Sequence, residues 1–126
     1  MQRTPRRIRS VARRLTALAS GRTLELGAGD QLQRLPYPED SFDTVVTVLG
    51  LAHVPDARGA LAELRRVLRP GGRLLFAERP RAVAGARDRD TLVLLADAGF
   101  ALEVRSRAVT GRLRRMPFVV GSARVA

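Results

Sequence analysis

The fold is decided by residues 35–76, which read LPYPEDSFDTVVTVLGLAHVPDARGALAELRRVLRPGGRLLF. Within this stretch, Asp43–Leu49 is almost continuously apolar and rich in β-branched residues, which predicts a parallel strand covered on both faces. Asp56 suits a helix N-cap, and apolar residues then recur with helical spacing to about Arg69. The Pro-Gly-Gly sequence that follows ends the helix, and Arg73–Glu78 predicts another strand. The stretch therefore predicts a strand–helix–strand unit.

On the amino-terminal side, Pro5–Ser20 predicts an amphipathic helix with an apolar face and an arginine-rich face. Thr4 suits its N-cap, Pro5 its first turn, and Gly21 the left-handed residue past its end. Arg22–Leu26 then predicts a short apolar strand that ends at a glycine.

On the carboxyl-terminal side, Asp88–Ala98 predicts a helix that stops at Gly99. Phe100–Val109 and Met116–Val125 predict two final strands around a turn at Gly111. The alternation of strands and helices, followed by paired strands, predicts an α/β sheet with helices packed on it.

Length and composition limit the classes of protein. The chain of 126 residues fits a single domain over residues 1–126, with residues 1–21 as its amino-terminal helix. With no cysteine and one histidine, the composition excludes disulfides and predicts no metal site. The absence of cysteine agrees with a reducing cytoplasm, and no apolar run is long enough to predict a membrane span.

The net charge of +11 comes from arginine alone, because the sequence contains no lysine. Such charge favours contact with polyanions such as RNA, DNA or anionic lipid. Runs of charge are more often a solvated surface, so both interpretations stay open.

The LELGAG segment at residues 24–29 carries the first candidate site. Glycines at the carboxyl end of a first strand let the backbone approach a ligand closely, here at Gly27 and Gly29. Glu25, two residues before the first glycine, is placed to reach a charged or hydroxyl group of such a ligand. A tight turn that needs glycine for its own geometry is the alternative.

Three further segments follow in order: LPYPEDSFD at residues 35–43, LAHVPD at 51–56 and LAELRRVLRPGGRL at 61–74. With the glycine turn, they resemble the class I S-adenosylmethionine-dependent methyltransferases typified by the ubiquinone and menaquinone C-methyltransferases. In that family an LPFPDDSFD stretch leads into the fourth strand, an LHHVPD loop follows, and a helix ending in RVLRPGG leads into the fifth strand. The resemblance implies a Rossmann-like three-layer α/β sandwich, with a mostly parallel sheet and an antiparallel C-terminal strand.

The resemblance also implies S-adenosylmethionine as cofactor, lying across the carboxyl ends of the first strands. Gly27 and Gly29 would pass under its amino-acid portion, and Glu25 matches the acidic position before the turn. The residues after the fourth strand wall the reaction site in the family; here they are Leu49, Gly50 and Leu51. Because the sulfonium is already activated, the site mainly aligns an acceptor for in-line attack.

His53 is a candidate general base in this site, because its ordinary pKa lies near neutrality. The alternative is a loop histidine that packs beside Pro55 and bonds to local backbone.

The sequence departs from the family between the glycine turn and Leu35, where the usual second and third strands are missing. The acid that binds the ribose hydroxyls therefore has no counterpart. Gln31 stands where the third glycine falls and, by strict spacing, where an acid near the adenine falls; Asp30, one residue off, is the alternative. The short link predicts that the first and fourth family strands are neighbours, with the fifth and then the last two beside them.

The predicted function is methyl transfer from S-adenosylmethionine to a small-molecule or lipid-like acceptor. One alternative is a catalytically inactive methyltransferase-like domain that binds a partner. Another is a nucleic-acid-binding module that uses the first helix and the Arg112–Arg115 segment, without sequence specificity. The unpaired first strand also predicts self-association into a homo-oligomer.

Overall fold

The computed structural model describes residues 6–52, 54–109 and 117–126. Three helices and seven strands follow one another in these ranges. In chain order they are α1 (Arg6–Ala17), β1 (Thr23–Gly27), β2 (Phe42–Val48), α2 (Ala57–Val67), β3 (Leu68–Glu78), β4 (Arg81–Ala84), β5 (Arg87–Asp90), α3 (Thr91–Asp97), β6 (Phe100–Val109) and β7 (Pro117–Val125). The predicted cap at Thr4 and Pro5 and the predicted turn at Gly111 lie outside the described residues.

Five strands form the main sheet in the order β1-β2-β3-β7-β6. The β1–β2 and β2–β3 pairs are parallel, whereas β7 is antiparallel to both of its neighbours. This order confirms the prediction that the first and fourth family strands are neighbours; in register, Thr23 pairs with Thr44 and Gly27 with Val48. The mostly parallel sheet with an antiparallel C-terminal strand is also confirmed.

The link from β1 to β2 contains no helix and is anchored by buried apolar side chains. Leu32 and Leu35 are buried in the main core, while most of their neighbours in the link are exposed. Tyr37 packs edge-on against Phe42, with 5.0 Å between ring centroids and an interplanar angle of 86°. A crossover between parallel strands needs only about a dozen residues, so this link suffices without the missing strands.

Helices cover both faces of the sheet, which gives the three layers that the sequence predicted. On one face, Leu15 of α1 packs with Val46, Leu75, Ala77 and Phe118. On the other face, α2 and α3 bury their apolar sides against the alternate residues of the same strands, among them Val45, Leu74 and Phe76. The alternation follows from the two-residue period of a strand, which sends successive side chains to opposite faces.

The predicted helix Asp88–Ala98 is wrong over its first residues. Residues 87–90 form β5, which pairs antiparallel with β4, and the helix begins only at Thr91. Gly85 has a positive φ of 68°, so a two-residue turn can close this hairpin. The true N-cap is Asp90, whose carboxylate accepts from the amides of Leu92 and Val93.

The junction of α2 and β3 also differs from the prediction. The helix ends at Val67 and Leu68 is already extended, so β3 begins before the Pro-Gly-Gly sequence. The pairing with β2 shifts register there, from Phe42↔Leu68 to Thr44↔Arg73. A side chain at Gly72 would lie 2.8 Å from the Arg69 carbonyl oxygen, which explains the need for glycine in this bulge.

Among the helices that the structure describes, none combines the length and the apolar character required to cross a membrane.

Candidate functional site

Most of the predicted site residues lie at the carboxyl ends of β1 and β2. Gly27 is the last residue of β1, and it pairs with Val48, the last residue of β2. The glycine turn and the loop Leu49–Leu51 therefore leave the sheet side by side. In open α/β sheets this edge is where ligands bind.

Asp30 builds the glycine turn. The Gly27 amide donates to Asp30 Oδ2 at 2.8 Å, and the Asp30 amide donates back to the Gly27 carbonyl at 3.2 Å. Gly29, between them, has a φ of 94°, a conformation that residues with a side chain rarely adopt. The conformation of the turn is thus fixed by hydrogen bonds between its own residues and by the backbone of Gly29.

Gly27 is different, because the fold itself does not demand glycine there. A Cβ atom at this position would meet only the Val48 carbonyl oxygen, at an ordinary 3.6 Å. Its φ does not lie in the left-handed region. The fold alone would therefore accept a small side chain at Gly27.

A cavity of about 350 Å³ lies beside this turn. Its lining comes from the β1–β2 link and from the far side of β2: residues 29–34 together with Gly50, Val54 and Pro55. The structure thereby brings together Gly29, Asp30, Gln31 and Gly50, four of the predicted cofactor-binding residues, whereas Gly27, Leu49 and Leu51 are not part of the lining. Its volume falls near the lower end of the usual range for small-molecule sites.

Glu25 lies apart from this cavity. Its carboxylate accepts a hydrogen bond of 2.7 Å from the Thr16 hydroxyl, and both residues line a separate groove between α1 and β1. The other residues of that groove are Arg9, Ala12 and Arg13. His53, the predicted base, lies outside the described residues.

The loop after β2 is held in an unusual conformation. Leu49 has a φ of 57°, in the left-handed region that a leucine seldom occupies. Its amide donates to the Ala77 carbonyl at 2.8 Å, so the turn is tied to the end of β3. A Cβ atom on Gly50 would lie 2.9 Å from Leu32 Cδ2, so a larger residue there would require the Leu32 side chain to shift.

Glu78, at the end of β3, contacts this loop, although the sequence did not predict it as a site residue. The amides of Gly50 and Leu51 donate to its two carboxylate oxygens at 3.1 and 3.0 Å. Burial raises the pKa of Glu78 to about 7, although hydrogen bonds from Leu51, Thr47 and Gly50 act in the opposite direction. The available signal was a carboxyl at the end of an otherwise apolar strand, LLFAE.

An ion pair on α2 joins the two most distinctive sequence segments. Arg66 Nε donates to Glu63 at 2.6 Å, and its other nitrogens donate to the carbonyls of Leu35 and Tyr37. Glu63 in turn accepts from the Leu35 amide at 2.8 Å. The hydrogen bond from Arg66, with that from Leu35, holds the pKa of the Glu63 carboxyl below its usual range. The LPYP segment is thereby fixed on α2.

Comparison with known proteins places this architecture in a family. Residues 8–76 match the model of a methyltransferase domain, which is more than half of the chain. The chain belongs to this methyltransferase family. The prediction from the ordered sequence segments is therefore confirmed.

The curated relatives that the chain resembles are much longer than it is. It is 47% identical over 62 residues to the ubiquinone/menaquinone biosynthesis C-methyltransferase UbiE of Hahella chejuensis, which covers 44% of this chain and 25% of that protein. It is 49% identical over 57 residues to the demethylmenaquinone methyltransferase of Deinococcus radiodurans, covering 45% and 23%. The chain spans about a quarter of the length of these relatives.

Solved structures agree on the fold of this methyltransferase domain. A possible histamine N-methyltransferase from Thermotoga maritima superposes with a TM-score of 0.69 at 17% identity, covering 94% of this chain and 89% of that one. The N-methyltransferase NodS of Bradyrhizobium japonicum, solved with S-adenosyl-L-homocysteine, gives a TM-score of 0.68 at 16% identity, covering 94% and 85%.

Proposed function

We propose that this chain binds S-adenosylmethionine at the carboxyl ends of β1 and β2 and transfers its methyl group to a small-molecule or lipid-like acceptor. The observation that carries the proposal is Gly27, which the fold does not itself require to be glycine, because a Cβ atom there would meet only the Val48 carbonyl oxygen at an ordinary 3.6 Å. Family membership and the adjacent cavity support the same assignment. The named relatives act in quinone biosynthesis, which favours a quinone-like ring as acceptor.

The residues present suit the cofactor's amino-acid portion. The turn built by Gly27, Gly29 and Asp30 offers backbone polar groups and one carboxylate beside the cavity. The opposite side of the cavity is bounded by Gly50, Val54 and Pro55. The cofactor brings an electrophilic methyl group, so the protein has to orient an acceptor and exclude water rather than form a covalent bond.

The role of this chain's residues in transfer is therefore one of alignment. Gly50 lines the cavity, and the fixed backbone on either side of it would define where an acceptor can approach. We propose His53 as the base for an acceptor that must lose a proton, because its ordinary pKa suits proton transfer near neutrality.

Calorimetric titration with S-adenosylmethionine and S-adenosylhomocysteine tests the proposal. The natural chain should bind both, while Gly27→Ala should bind at least tenfold more weakly, because its methyl group enters the ligand's space. Gly27→Val should abolish binding. Ala101→Val is the matched control: it adds bulk at an exposed strand position on the opposite edge of the sheet.

Equal binding by the natural chain and by both Gly27 variants would remove the glycine turn from the site. Binding without any methyl transfer to quinone-like or other small acceptors would favour the alternative of an inactive methyltransferase-like domain.

A further inference from the structure

The burial of the Glu78 side chain is energetically unfavourable in itself. It ends β3 with 1% of its surface exposed, and it is among the largest fully buried side chains of the described residues. A carboxyl removed from water costs free energy unless other groups satisfy its oxygens. Here each oxygen accepts one backbone amide, Oε2 from Gly50 and Oε1 from Leu51. The two consecutive amides belong to the loop that borders the proposed cofactor site.

That loop needs support, because Leu49 adopts a left-handed conformation with a φ of 57°. Such a conformation in a residue other than glycine is costly and persists only where the surroundings impose it. Hydrogen bonds to the end of β3 impose it here. The Leu49 amide donates to the Ala77 carbonyl, and the amides of Gly50 and Leu51 donate to the Glu78 carboxylate. Leu32 closes the loop from the cavity side, where it packs against Gly50.

We propose that Glu78 is a positioning residue for the cofactor site, whose carboxylate fixes the backbone of Leu49–Leu51 in the conformation that receives the ligand. This inference rests on the proposed function. Glu78 does not reach the cavity lining, so its effect on binding passes through Gly50, which does line it.

A pH dependence follows, since burial places the pKa of Glu78 at about 7. The groups that act on it are uncharged: the Thr47 hydroxyl from β2 and the two loop amides, with Val119 of β7 as its strand partner. The ionised carboxylate accepts both amides strongly, whereas the protonated acid carries a hydrogen on one oxygen and accepts there weakly. The loop is therefore held more firmly as the pH rises through about 7, and ligand affinity should rise with it.

The test is Glu78→Gln, because glutamine keeps the shape but replaces one acceptor by a donor that faces an amide. S-adenosylhomocysteine affinity at pH 8 should fall about tenfold, and its rise between about pH 6 and pH 8 should disappear. Glu103→Gln is the control, since it makes the same change in an exposed ion pair with Arg73 and Arg124. Folded-state stability at pH 8 should not fall, because the variant buries no charge; a general structural defect would lower stability and affinity together.

A second readout needs no ligand. In a His53→Gln background, which removes the single histidine, the NMR resonances of the Gly50 and Leu51 amides should titrate with a midpoint near pH 7. The same resonances should stay constant when Glu78→Gln is added. Equal affinity and equal pH dependence in the natural chain and Glu78→Gln would overturn the proposal. Amides that titrate in a chain without any affinity for S-adenosylhomocysteine would show that Glu78 holds the loop but that the proposed function, and the cofactor role with it, is wrong.

Discussion

The Gly27 amide donates to the Asp30 carboxylate at 2.8 Å, so the residue expected to contact a cofactor is already part of the turn that would hold it. Asp30 is exposed, and its second oxygen has room for a further partner. The same side chain can therefore shape the turn and face a ligand. These two roles differ in what they require of the carboxyl: the turn needs one acceptor oxygen, whereas a cationic or hydroxyl ligand benefits from the charge.

Substitution of Asp30 separates these roles. Asp30→Asn should leave the unfolding free energy within about 0.5 kcal/mol of the natural value, because Oδ1 can still accept from Gly27. Asp30→Ala removes the bond and should cost about 1 kcal/mol, measured by urea denaturation. Calorimetry with S-adenosylhomocysteine then measures how much the negative charge contributes to ligand binding: we expect Asp30→Asn to bind several-fold more weakly than the natural chain. Natural affinity in Asp30→Asn would assign Asp30 to the turn alone.

Stability should depend on pH through Glu78, with the opposite sign to ligand affinity. Its pKa rises from 4.5 to about 7 on folding, so the folded state binds more protons across that range. The stability that Glu78 contributes is fully present below about pH 4.5 and is lost as the pH rises through about 7, on the order of 3 kcal/mol. Urea denaturation from about pH 5 to pH 8 checks this, and Glu78→Gln should flatten the profile. A natural profile that rises with pH over this range would contradict the assignment.

The Glu63–Arg66 ion pair on α2 predicts the opposite pH dependence, with a stability that falls as the pH is lowered. Hydrogen bonds from Arg66 and Leu35 lower the pKa of Glu63, so its stabilising contribution is present above its ordinary pKa of about 4.5 and is lost as the pH falls through the lower folded value. Arg66→Gln should lower Tm at pH 7 and should reduce the further loss of Tm below about pH 4.5. Thermal unfolding followed by circular dichroism measures both. The half-buried Arg73→Gln, which leaves Glu63 untouched, is the control.

Much of the fold could be predicted because its information is local. The apolar runs of β2 and β3, the periodic helix α2 and the short link after Gly29 are all continuous in sequence, and together they leave one strand order. The β4–β5 hairpin could not be predicted, because the alternating RDRD of residues 87–90 is polar and suits a helix start as well as a strand. Only the pairing with β4, whose Ala82 and Ala84 are buried, decides between them.

The site was predictable only in part, because some of its contacts join residues that are distant in sequence. Gly27 and Gly29 could be proposed because glycines after a strand mark a sheet edge where a backbone can come close to a ligand, and Gly50 could be proposed through the family resemblance. The role of Glu78 depends on amides that lie far away in sequence and arrive only when β2 and β3 pair. The hydrogen bond from Thr16 to Glu25 likewise depends on how α1 packs on the sheet.

Arginine charge should give weak nucleic-acid binding without sequence preference. Arg9, Arg13 and Arg14 are exposed on α1, yet no base-reading element is recognisable in the sequence. Binding to short duplexes, measured by fluorescence anisotropy, should collapse between about 50 and 200 mM salt, as counterion release requires. Replacing the three α1 arginines by glutamine should weaken binding to all sequences alike. Selective binding that survives such salt would instead favour a dedicated nucleic-acid module.

The last prediction concerns the strength of cofactor binding. In the main sheet β1 is an edge strand, so the position where relatives carry the strand with the ribose-binding acid is not filled by any described strand of this chain. A hydrogen bond to a charged group contributes about 1.5–3 kcal/mol, so its loss should weaken binding by about ten- to a hundredfold. Calorimetry should therefore give this chain a lower affinity for S-adenosylhomocysteine than a complete UbiE-type relative has, by that factor.

The matched control is the relative with its ribose-binding acid changed to alanine, whose affinity should fall to the level of this chain. If this chain binds as tightly as the unaltered relative, some other group or a second copy at the β1 edge must supply the missing contact. Light scattering on the same samples distinguishes the two explanations, since only a contact from a second copy would require a dimer that forms with ligand.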